Sequence, residues 1–200
     1  MMNDKIKVAV LVSGGGTNLQ ALIDFEKAGK LKSGTIVKVI SNKEGAFALE
    51  RAKKAGIETA VVIKKGKTQA EFEQGVIEEL NSCGAQVIVL AGFMCILSKD
   101  FTDRYAKRII NVHPSLIPSF CGEGFYGLKV HESALSYGVK VTGATVHFVN
   151  EVADGGEIIM QKAVAIKDGD TPEVLQKRVM EQAEWKILPA SLEKVCKNLL

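Results

Sequence analysis

Short apolar runs alternate with amphipathic stretches over the first hundred residues of this chain. Residues 6–12 are apolar apart from Lys7 and stop at Ser13-Gly14-Gly15-Gly16, a pattern that predicts a buried strand. Leu19, Leu22, Ile23 and Phe25 then recur at helical spacing until Gly29, with Thr17 or Asn18 expected as the cap. The alternation continues as strand 35–40, helix 46–55 ended by Gly56, strand 59–63, and helix 70–82 with Phe72, Val76, Ile77 and Leu80 on one side. Residues 86–91 carry almost no polar interruption, as central parallel strands do. Together these elements predict an α/β fold of three layers, a mostly parallel twisted sheet with helices on both faces.

The rhythm changes after Arg108. Residues 109–113 read as a strand broken by Pro114, and residues 114–127, with two prolines and three glycines, read as a long irregular loop. A short helix is expected over 128–137. Residues 140–149 and 157–166 alternate or run apolar, which predicts antiparallel strands toward the C-terminal part of the sheet. Asp170-Thr171-Pro172-Glu173 opens a last helix with proline in its first turn, and Pro189 is expected to kink or end it. No linker or repeat divides the chain, so residues 1–200 are expected to form one domain.

Composition narrows the partners. With 200 residues, 46% hydrophobic and 24% charged, the chain has the make-up of a globular domain large enough to need no metal or disulfide for its core. The formal net charge of +3 gives no reason to expect nucleic acid or an acidic membrane. Cys83, Cys95, Cys121 and Cys196 lie far apart, without metal-ligand spacing, which fits reduced thiols in a cytoplasm. The polar start, residues 1–5, and the brief apolar run after it do not fit a signal peptide, and no run approaches the ~20 residues of a membrane span. A cytoplasmic protein is expected.

Three places carry candidate chemistry. Ser13-Gly14-Gly15-Gly16-Thr17-Asn18 joins a strand to a helix, where glycines allow close backbone approach and free amides attract phosphate; a plain tight turn is the alternative. Leu19 stands where a dinucleotide fingerprint wants a third glycine, and no Walker lysine follows, so neither NAD nor ATP chemistry is favoured. Asn111 and His113 share one face at a strand's end, an arrangement suited to an oxyanion, or else to capping and a structural histidine. Asp154-Gly155-Gly156 is either an ordinary turn or an acid placed to raise the pKa of His113. His131 reads as an exposed helical residue and His147 as a hydrogen-bonded supporting histidine. Lys64-Lys65-Gly66-Lys67 reads as a solvated loop.

In order along the chain, Val10-Leu11-Val12-Ser13-Gly14-Gly15-Gly16-Thr17-Asn18-Leu19-Gln20, Leu90-Ala91-Gly92-Phe93-Met94, Asn111-Val112-His113-Pro114-Ser115-Leu116-Ile117-Pro118, Thr142-Gly143-Ala144-Thr145-Val146-His147-Phe148-Val149 and Asp154-Gly155-Gly156 resemble the phosphoribosylglycinamide formyltransferases, folate-dependent enzymes of purine biosynthesis. The resemblance implies the formyltransferase fold, with Asn111, His113 and Asp154 catalytic. It implies glycinamide ribonucleotide on Gly16, Thr17, Asn18 and Glu184, and 10-formyltetrahydrofolate against Met94, Cys95, Ile96, Leu97, Asn111 and Gln69. By the same resemblance no metal is required, and the protein is a monomer or homodimer.

Departures accompany the resemblance. Cys95 and Gln69 stand where relatives often carry basic residues, residues 121–128 lengthen a loop, and the helix before Glu184 holds one extra residue. A methionyl-tRNA formyltransferase is expected to need a further C-terminal domain, and a formyltetrahydrofolate hydrolase a further N-terminal one. A phosphate-binding module without catalysis would leave Asn111, His113 and Asp154 without a common purpose.

Overall fold

The computed structural model describes residues 5–200. The expectation drawn from residues 1–4 therefore lies outside the described residues. Seven strands form one sheet: β1 Ile6–Val12, β2 Gly34–Ser41, β3 Glu58–Val61, β4 Val87–Leu90, β5 Ile109–His113, β6 Val141–Phe148 and β7 Ile158–Ala165. Their order is β3-β2-β1-β4-β5-β6-β7, parallel from β3 to β5 and antiparallel across β5–β6 and β6–β7. This is the mixed sheet that the apolar runs predict.

The helices are α1 Thr17–Lys27, α2 Phe47–Lys54, α3 Gln69–Cys83, α4 Lys99–Arg104, α5 Leu128–Tyr137, α6 Pro172–Val179 and α7 Trp185–Leu199, with a π turn at Met180–Glu184 between the last two. Period-two alternation on β1 divides the core. Val8, Val10 and Val12 join Leu19, Leu22, Leu188 and Leu192 under α1 and α7. Ala9 and Leu11 face the other way, against Phe72, Val76, Leu80 and Phe101 of α3 and α4. Both faces are thus covered, which is why β1 and β4 read as apolar without a polar side. Removing the fully buried Phe72 ring would cost about 3–5 kcal/mol on this account.

Four local expectations are corrected. Gly16, not Thr17 or Asn18, caps α1; it has φ 71° and no side chain closes the helix start. The α4 helix was not expected, because six residues capped by Ser98 bury only Phe101 and Thr102 and leave no period to read. Pro189 does not end its helix, which runs on to Leu199. The proline withholds one ladder bond, the one to the Trp185 carbonyl at the start of this helix, and the turns after it continue the ladder. His131 is buried, not exposed: it lies on the same stripe as Val130 and Ala134 of α5. No helix among the described residues is long and apolar enough to cross a membrane.

Candidate active site

The C-terminal ends of the parallel strands gather the candidate chemistry on one edge of the sheet. β1 leads to α1 on one side and the chain crosses to β4 on the other, so a crevice opens between them, where open α/β sheets hold ligands. Ser13, just past β1, accepts at Oγ from the Met94 amide just past β4 over 2.8 Å, fastening the glycine loop to residues 94–97. The next strand pair, Leu90 against Asn111, brings the end of β5 alongside.

On β5, Asn111 and His113 share a face, and β6 supplies His147 opposite Asn111. The Asp154 carboxylate reaches both histidines: Oδ2 lies 3.4 Å from His113 Nδ1 and Oδ1 lies 3.5 Å from His147 Nε2. His113 donates from Nε2 to the Phe120 carbonyl at 2.8 Å, while the Gly122 amide donates to Asp154 Oδ2 at 2.9 Å. His147 donates from Nδ1 to the Phe148 carbonyl at 2.8 Å, and its Nε2 lies 3.2 Å from the Asn111 side-chain amide nitrogen. Asn111 keeps a second amide hydrogen for a ligand. Gly156 makes the Asp154 turn possible, because a Cβ there would sit 1.7 Å from the Phe148 carbonyl oxygen. The fit of that turn against β6 is a matter of backbone contact, not of turn propensity.

Asp154 acts on His113 in the expected direction, but a larger effect opposes it. Burial pulls the His113 pKa below its ordinary value, outweighing the nearby Asp154 carboxylate, which pushes it up. Asp154 is itself buried, which raises its pKa, but the contacts from His147, His113 and the Gly122 amide together hold it below the ordinary value.

On the other flank, Asn18 of α1 donates to Glu184 in the π turn, and Thr17 is exposed at the mouth of the glycine loop. Residues 94–97 divide: Met94 and Ile96 are exposed, Cys95 is half-buried and accepts from Asn42 at 2.9 Å, and the Leu97 side chain is committed to the core. A contact from Leu97 is therefore restricted to its backbone. Gln69 donates to the Ile96 carbonyl at 3.0 Å, so it borders this segment, and Glu73 anchors it from beneath through Ser98.

Residues 6–192 match the family model described as Formyl transferase. The chain belongs to the formyl transferase family. It is 43% identical over 178 residues to phosphoribosylglycinamide formyltransferase of Escherichia coli, covering 88% of this chain and 81% of that protein. It is 46% identical over 196 residues to the trifunctional purine biosynthetic protein adenosine-3 of Gallus gallus, covering 98% of this chain but only 19% of that longer protein. The crystal structure of glycinamide ribonucleotide transformylase 1 from Symbiobacterium toebii superposes with a TM-score of 0.90 at 36% identity, covering 97% of this chain and 89% of the other.

Within this formyl transferase, spacing placed Asn111 and His113 on one face, only the resemblance joined Asp154 to them, and the structure brings the three together. Other contributors were not legible. Phe120 and Gly122 act through a carbonyl and an amide, which any residue carries, and the irregular loop after β5 is what delivers them. His131 left a signal in its stripe position; it is fully buried, its ring nitrogens have no partner among the described residues, and burial together with His113 pushes its pKa down to about 4.

Proposed function

We propose that this protein transfers the formyl group of 10-formyltetrahydrofolate to the primary amine of glycinamide ribonucleotide, giving formylglycinamide ribonucleotide in purine biosynthesis. The observation that carries this reading is the meeting of Asn111, His113 and Asp154 at the strand ends that also bear the glycine loop, in a member of the formyl transferase family. A cytoplasmic setting accords with its four free cysteines.

Gly16, Thr17 and Asn18 hold the substrate phosphate, since the uncapped start of α1 offers free amides at the positive end of an eleven-residue helix. Glu184 and Asn18 hold the adjoining polar part of the substrate; Asn18 Oδ1 is a buried acceptor with no partner among the described residues, which fits a ligand donor. The exposed apolar side chains of Met94 and Ile96, on a segment tied down by Ser13 and Gln69, fit an aromatic bicycle, with Cys95, Gln69 and the Leu97 backbone along its border. The folate supplies the formyl carbon and N10 as the leaving nitrogen.

As the amine lone pair forms the new C–N bond, the carbonyl pair moves onto oxygen, and Asn111 donates its free amide hydrogen to that oxygen. Asp154 takes the proton released by the amine and passes it to His113 Nδ1, so the imidazole becomes a cation as negative charge appears. The Phe120 carbonyl steadies that cation from the Nε2 side. The oxygen pair then re-forms the carbonyl as the C–N10 bond breaks and its electron pair goes to N10, where the His113–Asp154 pair delivers the proton. These groups balance the proton without a metal.

The test is formyl transfer measured with and without glycinamide ribonucleotide, alongside His113→Ala. Product that requires the amine, with a loss of about a hundredfold or more in the variant, is expected. Folate turnover that proceeds without the amine, or transfer indifferent to His113, would overturn the assignment.

A further inference from the structure

The glycine loop is shaped from outside, by the first turns of α2. Ala48 donates its backbone amide to the Gly14 carbonyl at 3.0 Å, and Arg51 donates from Nε to the Gly15 carbonyl at 2.8 Å. The contact between the two elements is close enough that a Cβ on Gly16 would meet the Ala48 Cβ at 2.7 Å. Both loop peptides are trans, since the only cis bond among the described residues is Ile117–Pro118. In a trans peptide the C=O and the following N–H point opposite ways. With the carbonyls of Gly14 and Gly15 drawn onto α2, the amides of Gly15 and Gly16 are turned away from it, out to the mouth where α1 begins.

Arg51 is itself held in place. Its Nη1 donates to Gln20 Oε1 at 3.0 Å, and its guanidinium lies 5.0 Å from the centre of the Phe47 ring. One planar fork therefore ties α2, the loop and α1 together. Among the described residues, it is the only side chain that donates to a loop carbonyl.

We propose that Arg51 is a positioning residue for the substrate phosphate: it fixes the Gly15–Gly16 peptide so that the Gly16 amide faces the anion. This rests on the phosphate lying in the glycine loop. Arg51 acts through the peptide plane and not by touching phosphate, so charge alone does not replace it. Lysine keeps the charge but has one point donor, which cannot bridge Gly15 O and Gln20 Oε1 in a fixed plane.

The experiment compares wild type, Arg51→Ala, Arg51→Lys and Gln20→Ala in steady-state kinetics, with inorganic phosphate as competitor and as a directly titrated ligand. Arg51→Ala is expected to raise KM for glycinamide ribonucleotide and Ki for phosphate by about tenfold each, with kcat and the folate KM within twofold. Arg51→Lys should recover less than half of that change on a logarithmic scale, and Gln20→Ala should show a smaller change of the same kind. If Arg51→Ala does not fold, Arg51→Lys and Gln20→Ala carry the same readouts.

Wild-type KM and Ki in Arg51→Lys would overturn positioning in favour of simple charge. A matched loss in kcat and the folate KM would overturn it in favour of general structural damage. If the wild type transfers no formyl group, the assigned reaction fails, and direct phosphate titration still decides Arg51. Phosphate affinity that is absent in the wild type, or equal in Arg51→Ala, refutes its role.

Discussion

The side-chain amide of Asn18 donates to the Glu184 carboxylate over 2.7 Å, joining the first turn of α1 to a π turn 166 residues later. Glu184 is 6% exposed, and burial, only partly offset by Asn18, pushes its pKa up to about 7. The folded protein thus holds a proton on this carboxyl in a range where the unfolded chain has lost it.

A pH-dependent stability follows. Between the ordinary value of 4.5 and about 7, the folded state binds more protons than the unfolded, so this group's contribution falls as pH rises through that window. Glu184→Gln keeps the shape and removes the titration. The wild-type stability minus that of the variant should drop by roughly 3 kcal/mol from pH 4 to pH 8, measured by urea unfolding at each pH. A difference that is flat or rises with pH would contradict the buried carboxyl.

Asp154 is the strongest influence raising the His113 pKa against the depression caused by burial. Asp154→Asn should therefore lower the imidazole midpoint further below that of the wild type, read by NMR of the labelled ring. Activity should fall by about a hundredfold or more with the fold retained. An unchanged or raised midpoint would break the proposed proton coupling. The sign for stability runs the other way from Glu184: with the His113 pKa depressed, its stabilising contribution is lost as pH falls below 6.5 toward the folded value.

Gly156→Ala tests how the acid is held. The added Cβ would overlap the Phe148 carbonyl oxygen and carbon, both backbone atoms that cannot swing aside. The Asp154 turn must shift from β6, so kcat should drop at least about tenfold and stability should fall by about 1–3 kcal/mol. Wild-type kcat in this variant would show that the Asp154 position is not critical.

Lys38 gives a prediction without loss. It is 3% exposed on β2 and its ammonium meets Glu58 at 2.7 Å, Glu79 at 2.8 Å and Ser82 at 2.8 Å. Both carboxylates keep a solvent-facing side, so they rehydrate once the lysine is gone. Lys38→Met should leave the unfolding free energy within about 1 kcal/mol or raise it, because a buried cation's desolvation offsets its attraction. A loss of 3 kcal/mol or more by denaturant unfolding would show that the triad stabilises the fold outright.

Much of the architecture was legible because the signal is local. Val8, Val10 and Val12 against Ala9 and Leu11 record which layer each side chain enters, and a strand covered on both sides has to be apolar throughout. Asn111 and His113 declare a shared face through their spacing alone. By contrast, β3 and α4 are short and bury little, so their bounds came out shifted or missing.

What the sequence determined by itself was the order of the layers, the glycine loop and the residue types that can move a proton. Tertiary structure alone decided that Asp154 reaches His113, that the irregular loop after β5 supplies the Phe120 carbonyl and the Gly122 amide, and that Arg51 turns the loop peptide. It also decided that at His113 burial outweighs the neighbouring acid and draws the pKa down. The physical reason is range: periodicity and turn chemistry act over a few residues, whereas desolvation and backbone hydrogen bonds depend on segments that only folding brings together.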